Sequence, residues 1–215
     1  MAIIEQASRA DCRLCPWPGS LPRKWPDRRT PLVIGRQGKQ HDIIRAMRIK
    51  DRAPDFELPD LDGRLHRLSE QRGRIVVLNF WSCECPHAVR TDSLLTRWQE
   101  HWGEQVVLLP IASNANETIE ALAAVSERRR LPRILVDRQH VVADLYAAVT
   151  TPHVFVVDRE GRLRYSGAVD DTSFAQRAPA RFFLREAVRA LLADGSPRLT
   201  ETQPYGCAIV REALE

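Results

Sequence analysis

The chain has 215 residues, 44% hydrophobic and 28% charged, a balance that supports a packed core and excludes a wholly disordered chain. No apolar run approaches the roughly 18 residues of a membrane-spanning helix. The formal net charge of +4 is not a nucleic-acid footprint: residues 1–46 hold nine Lys/Arg against four Asp/Glu, and residues 47–215 hold 23 against 24, so the larger part is charge-balanced. Residues 1–46 read as a basic leader with five of the 14 prolines and little periodicity, expected to be disordered or an artefactual upstream extension, with Met47 as an alternative start. Ile3 and Ile4 run straight into Glu5 and Gln6, without the apolar core of a signal peptide. Cys12 and Cys15 lack a second ligand pair at zinc spacing, so no metal site is expected there.

From residue 54 the pattern is regular. Asp60-Leu61-Asp62-Gly63 reads as a turn between strands at 56–58 and 64–68. Residues 74–81 form a nearly continuous apolar run, as in a strand buried on both faces. Residues 86–101 carry apolar positions at helical spacing. A second buried strand follows at 106–112, then a helix at 117–129, a short strand at 134–136 and a short helix at 141–148. Strands at 154–158 and 163–166 flank an Arg159-Glu160-Gly161 turn, and a helix spans 180–193. The order predicts a layered α/β domain over residues 47–200, a mixed central sheet flanked by helices on both faces. Residues 201–215 form a Gly-punctuated C-terminal tail carrying Cys207.

Five cysteines in this length do not make a disulfide scaffold. Cys85 stands out: it ends a buried strand and is followed by Pro86 and a helix. Proline suits the first helical turn, and the free N–H groups and partial positive charge of a helix N-terminus favour thiolate, the nucleophilic form. Cys85 is therefore the expected attacking thiol. Its disulfide partner is Cys83, in a small and strained Cys-x-Cys ring, or Cys207 on the tail, within one chain or across a homodimer; a third option is that Cys85 acts alone, through a mixed disulfide or a sulfenic acid. Cys83 and Cys207 also read as small buried hydrophobes.

The run Ala53-Pro54-Asp55-Phe56-Glu57-Leu58 through Gly63, the stretch Val76–Ser82 leading into Cys85-Pro86, and Thr151-Pro152-His153-Val154-Phe155 together resemble the redoxins. These are thioredoxin-fold proteins of the AhpC/TSA type, which include thioredoxin-like reductases of cytochrome maturation. The resemblance covers about residues 51–194. It implies a thioredoxin-like fold with an N-terminal β-hairpin, a cis Pro152 facing the thiol, and a substrate-facing surface of Thr151, Pro152, His153, Trp81 and Pro86. Two departures stand out. Ala88 occupies the second position of the usual Cys-x-x-Cys. Leu78 replaces the proline of the peroxidase motif Pro-x-x-x-Thr-x-x-Cys, with Ser82 in place of its threonine.

The expected function is thiol–disulfide oxidoreduction. Peroxide reduction, with Cys85 peroxidatic and Cys207 or Cys83 resolving, is the enzymatic alternative. A copper or zinc carrier using Cys83, Cys85 and His153 is the non-enzymatic one. A Cys83–Cys85 bond points to exchange, and a Cys85–Cys207 bond points to a peroxidase-like cycle. His153 could lower the Cys85 pKa if protonated, or simply cap the site, and His87 could donate a proton to a leaving thiolate. The expected partners are a protein or small-molecule disulfide or a peroxide, and a thiol reductant such as a thioredoxin or glutathione system. No cofactor, nucleic acid or membrane is expected. A cytoplasmic location follows from the missing leader signals, with the periplasm as the alternative because relatives of the cytochrome-maturation kind work there.

Overall fold

The computed structural model describes residues 47–211; the leader readings, including Cys12 and Cys15, lie outside the described residues. A hairpin of β1 (Glu57–Pro59) and β2 (Leu65–Arg67) precedes β3 (Ile75–Trp81), α1 (Pro86–Trp102), β4 (Val106–Ala112), α2 (Ile119–Arg129), β5 (Leu135–Val136) and α3 (Val141–Leu145). Then come β6 (Thr150–Thr151), β7 (His153–Val157), β8 (Leu163–Gly167), α4 (Phe183–Leu192) and β9 (Cys207–Ala208). The main sheet has the order β5-β4-β3-β7-β8. β3 pairs in parallel with β4 and antiparallel with β7, and every residue of β3 is buried.

Alternation along β3 explains the layers. Ile75 and Val77 face α1 and α4, meeting Leu95, Trp98, Leu184 and Val188. Val76, Leu78 and Phe80 face the hairpin and α3, meeting Phe56, Leu58, Val142 and Tyr146. A sheet covered on both sides needs apolar residues at every position, which is why the strand reads as a continuous run.

Three helices are shorter than their periodicity suggests, each for a local reason. α2 begins at Ile119 rather than Glu117 because Thr118 is its N-cap, accepting from Ala121 N at 3.2 Å. α4 begins at Phe183 because the N–H groups of Ala180 and Arg181 are held by Asp171 Oδ1 at 2.9 and 3.1 Å. α3 ends at Leu145, and Ala147 turns left-handed at φ 51°. Among the described residues no helix is long and apolar enough to cross a membrane.

The described part of the C-terminal tail is bound to the domain. Ser166 and Thr202 exchange backbone hydrogen bonds with residues of the opposite segment, Ser166 N to Thr200 O at 2.9 Å and Thr202 N to Ser166 O at 3.0 Å. Thr202 Oγ1 accepts from Ala168 N at 2.9 Å and lies 2.6 Å from the Tyr165 hydroxyl. Five residues later the chain pairs antiparallel with the segment before Pro152: Thr151 lies opposite Cys207, and Thr150 opposite Ala208.

Candidate active site

The carboxyl ends of the parallel strands β3 and β4 lie side by side, so the loops that leave them meet. From β3 the chain turns through Ser82, Cys83 and Glu84 into Cys85, the N-cap of α1, with Pro86 as its first residue. From β4 it runs through Asn114 and Asn116 to Glu117. The buried Glu117 carboxylate ties down the first loop through one oxygen: Oε1 accepts from Ser82 Oγ at 2.7 Å, Cys83 N at 2.6 Å and Glu84 N at 3.3 Å. Ser82 Oγ in turn accepts from Cys85 N at 3.2 Å. A second clamp comes from α2, where Arg129 donates to the Cys83 carbonyl at 2.9 Å and to Asp92 at 2.8 Å.

Cys85 faces two neighbours. Its Sγ lies 2.9 Å from the Thr151 carbonyl oxygen and 2.9 Å from Cys207 Sγ. The Thr151–Pro152 peptide is cis. Cys83, Cys85 and Cys207 are free thiols. With β9 in place Cys85 is only 2% exposed.

The three thiols differ in acidity. Burial pushes the Cys85 pKa up, but hydrogen bonds from the Cys207 thiol, the Thr151 side chain and the backbone N–H groups of Ala88 and Cys207 outweigh it, and the net shift is downward. Burial, helped by the charge and hydrogen bond of the Cys85 sulfur, pushes Cys207 up to about 11. Burial again, then the hydrogen bond and charge of Glu117, pushes Cys83 up to about 12. Cys85 is therefore the most acidic of the three thiols. Because the Cys85 shift is downward, its contribution to stability is present above the ordinary thiol pKa and is lost as pH falls through the folded value. Thiolate absorbance followed against pH should show one group titrating below the ordinary thiol range. That step should vanish in Cys85→Ser; its survival there would assign the acidic thiol elsewhere.

A family model described as the AhpC/TSA family matches residues 49–166. The chain belongs to the AhpC/TSA family. The thiol-disulfide oxidoreductase ResA of Geobacillus thermodenitrificans is 33% identical over 120 residues, 55% of this chain and 68% of ResA. Among solved structures, a hypothetical protein of Sinorhizobium meliloti 1021 superposes with a TM-score of 0.72 at 30% identity, covering 79% of this chain and 98% of that one. An uncharacterized conserved protein of Geobacillus kaustophilus gives 0.73 at 25% identity, covering 79% and 95%. The thioredoxin domain of a thiol-disulfide oxidoreductase from Bacteroides vulgatus superposes with a TM-score of 0.51 at 18% identity, covering 61% of this chain and 93% of that one, so the fold is thioredoxin-like.

Several expected site residues of this AhpC/TSA protein stand elsewhere than the motif suggests. Trp81, expected to face substrate, is fully buried; its indole N–H donates to Asp92 at 3.0 Å and Arg129 lies over its ring at 6.0 Å. It supports the thiol loop from within the core. Cys83 is buried and packs in the cluster of Trp81, Ala112 and Leu122 that also holds Cys85. His153 contacts Phe155, with ring centroids 4.4 Å apart, and its nitrogens meet Val149 N and Ser166 Oγ at 3.4 Å. Burial pushes its pKa down to about 4, so it is neutral at pH 7 and brings no positive charge to the thiol. Among the described residues no three His, Cys, Asp or Glu side chains gather as a metal ion needs, so the Cys83, Cys85 and His153 ligand set is not assembled. Pro86 is exposed beside the thiol and Thr151 lines it. Arg90 is engaged by Asp170 through two bonds of 2.7 and 3.0 Å. Two residues that sequence reasoning passed over are Glu117, the anchor of the loop, and Tyr205, whose ring packs edge-on against His87 at 4.9 Å.

Proposed function

We propose that Cys85 is the attacking thiolate and Cys207 the resolving thiol of a disulfide reductase. The class, a thiol–disulfide oxidoreductase of the redoxin type, follows from the family and the ResA relatives. The observation that carries the residue roles is the 2.9 Å approach of the Cys207 sulfur to the Cys85 sulfur at the start of α1. Cys85 attacks a partner's disulfide, a bond forms between Cys85 and one partner sulfur, and the other partner sulfur leaves as thiolate. Cys207 gives up its proton and attacks the Cys85 sulfur. The second partner thiolate leaves, and a Cys85–Cys207 disulfide remains. A cellular dithiol or glutathione-type reductant returns it to two thiols, and a reducing compartment such as the cytoplasm suits that last step.

The same pair supports peroxide reduction as a second reading. Cys85 would take one peroxide oxygen to become a sulfenic acid, and Cys207 would condense with it, releasing water. The groups that would activate a peroxide are otherwise engaged: Ser82 gives its proton to Glu117, and Arg90 is forked onto Asp170. A Cys85–Cys207 pair is the one expected of a peroxidase-like cycle, but with these groups engaged, and with ResA-type relatives, exchange is the leading reading.

Mass mapping after mild oxidation tests the pairing: a Cys85–Cys207 bond is expected, and a dominant Cys83–Cys85 bond would overturn it. Dithiol-driven insulin reduction tests the nucleophile. Cys85→Ser should lower the rate by about three orders of magnitude or more, and unchanged activity would refute the assignment.

A further inference from the structure

The tail does more than deliver a thiol. Cys207–Ala208 lie along Thr150–Thr151 as an added antiparallel strand, with Cys207 opposite Thr151. Each position meets a distinct surface. Tyr205 packs on His87. Gly206 passes so close to the cis-proline loop that an added Cβ would stand 2.1 Å from Thr151 O and 2.6 Å from its carbonyl carbon. Ala208 is exposed, whereas Ile209 is buried in the core layer below the sheet and its N–H donates to Val149 O at 3.1 Å. While this strand is seated, Cys85 is 2% exposed, so a partner's disulfide reaches the sulfur only after the strand lifts. Lifting it uncovers the unpaired backbone edge of Thr150–Thr151 beside the thiolate, a surface built to pair with another extended segment.

We infer that this edge is a peptide-binding site whose preferred occupant is an extended protein segment carrying Gly-Cys, with an aromatic residue two positions before the sulfur and an apolar residue two positions after the glycine's neighbouring cysteine. The protein's own tail is the resident copy of that segment. The inference rests on Cys85 acting as the exchanging thiolate. Partner and tail compete for one edge, so they take turns. The partner docks with the tail lifted and forms the mixed disulfide with Cys85. The returning tail brings Cys207 back to Cys85 and takes the partner's place on the edge, so resolution and product release are one event. Beyond β9 the chain is held by Ala115 N to Val210 O at 2.9 Å, Val210 N to Asn114 Oδ1 at 2.9 Å, Arg211 to Ala148 O at 3.0 Å and an exposed Arg211–Asp144 pair at 2.9 Å, so the tail lifts only as these bonds open.

The test uses the full chain with Cys207→Ser, which removes the competing thiol, alone and combined with Gly206→Ala, which obstructs docking of the tail. The probes are the hexapeptide Pro-Tyr-Gly-Cys-Ala-Ile as its mixed disulfide with thionitrobenzoate, the same peptide with Ala for Gly, and free cysteine carrying the same group. Cys85 attack on the peptide sulfur expels the coloured thiolate, and mass spectrometry identifies the protein–peptide disulfide. In the doubly substituted chain the Gly peptide should react roughly tenfold faster than the Ala peptide or the cysteine probe, the effect of a Cβ that finds no room. Its rate should fall toward that of the other probes when Gly206 is retained. Tyr205→Ala, which loosens the tail without touching its backbone, should shift the Gly-peptide rate in the same direction as Gly206→Ala. Equal rates for the three probes, or a Gly-peptide rate indifferent to both Gly206→Ala and Tyr205→Ala, would overturn the peptide site. Release from none of the probes would instead refute exchange at Cys85 itself.

Discussion

Cys207→Ala should leave the first half of the reaction intact and stop the second. The variant should accumulate a stoichiometric mixed disulfide between Cys85 and its partner, and steady-state turnover should fall by about two orders of magnitude, because an external thiol must replace one tethered beside the bond. The loss has a second component. The Cys207 thiol is the first of the hydrogen bonds that pull the Cys85 pKa down against burial, so its removal also reduces the thiolate fraction at neutral pH. Single-turnover mass spectrometry beside steady-state rates separates the two effects. Cys83→Ala is the control: its thiol is buried and pushed up to about 12, so turnover should stay within about twofold. The reverse pattern, with Cys207→Ala active and Cys83→Ala dead, would transfer the resolving role to Cys83.

Glu117→Ala should be the most destabilising single change near the site. It removes the acceptor of three hydrogen bonds and leaves the N–H of buried Cys83 without its partner, a loss on the order of 3 kcal/mol in chemical denaturation. Released from Glu117, the loop of residues 82–84 should loosen. The Cys83 pKa should fall as the neighbouring negative charge goes, and Cys83 should then compete for Cys85. Disulfide mapping of the variant should show a new Cys83–Cys85 species. Wild-type stability with no such species would show that the carboxylate is a bystander.

The placement of Cys85 at the head of α1 is legible in the sequence, because a strand buried on both faces announces itself as an unbroken apolar run and Pro86 marks where the helix starts. The same logic placed β4 at residues 106–112 in full. What stayed hidden depends on pairing across long sequence separations. β6 and β9 are two residues each, too short for any periodicity, and they exist only because each is the other's partner. Cys-x-Cys spacing does not tell which sulfur meets Cys207; it is Cys85, while the Glu117 and Arg129 bonds fix the Cys83 backbone. Glu117 itself sits in a polar loop, where an acidic residue is unremarkable. The usable hint was topological, since a loop leaving β4 must lie beside one leaving its parallel neighbour β3. His153 misled for a similar reason. Adjacency to a cis proline locates the backbone, but alternation along β7 then sends the ring toward Phe155.

The anchorage of Thr202 sets the length of a leash. Cys207 is five positions on from that fixed point, and a fully extended chain spans at most about 3.5 Å per residue, so the lifted sulfur stays within roughly 18 Å of its mooring. A thiol confined to so small a volume is present at a local concentration on the order of millimolar or above, whatever the amount of protein in the cell. Resolution of the mixed disulfide should therefore proceed at the same rate in dilute and concentrated samples, and lengthening the 203–206 segment should slow it without altering Cys85.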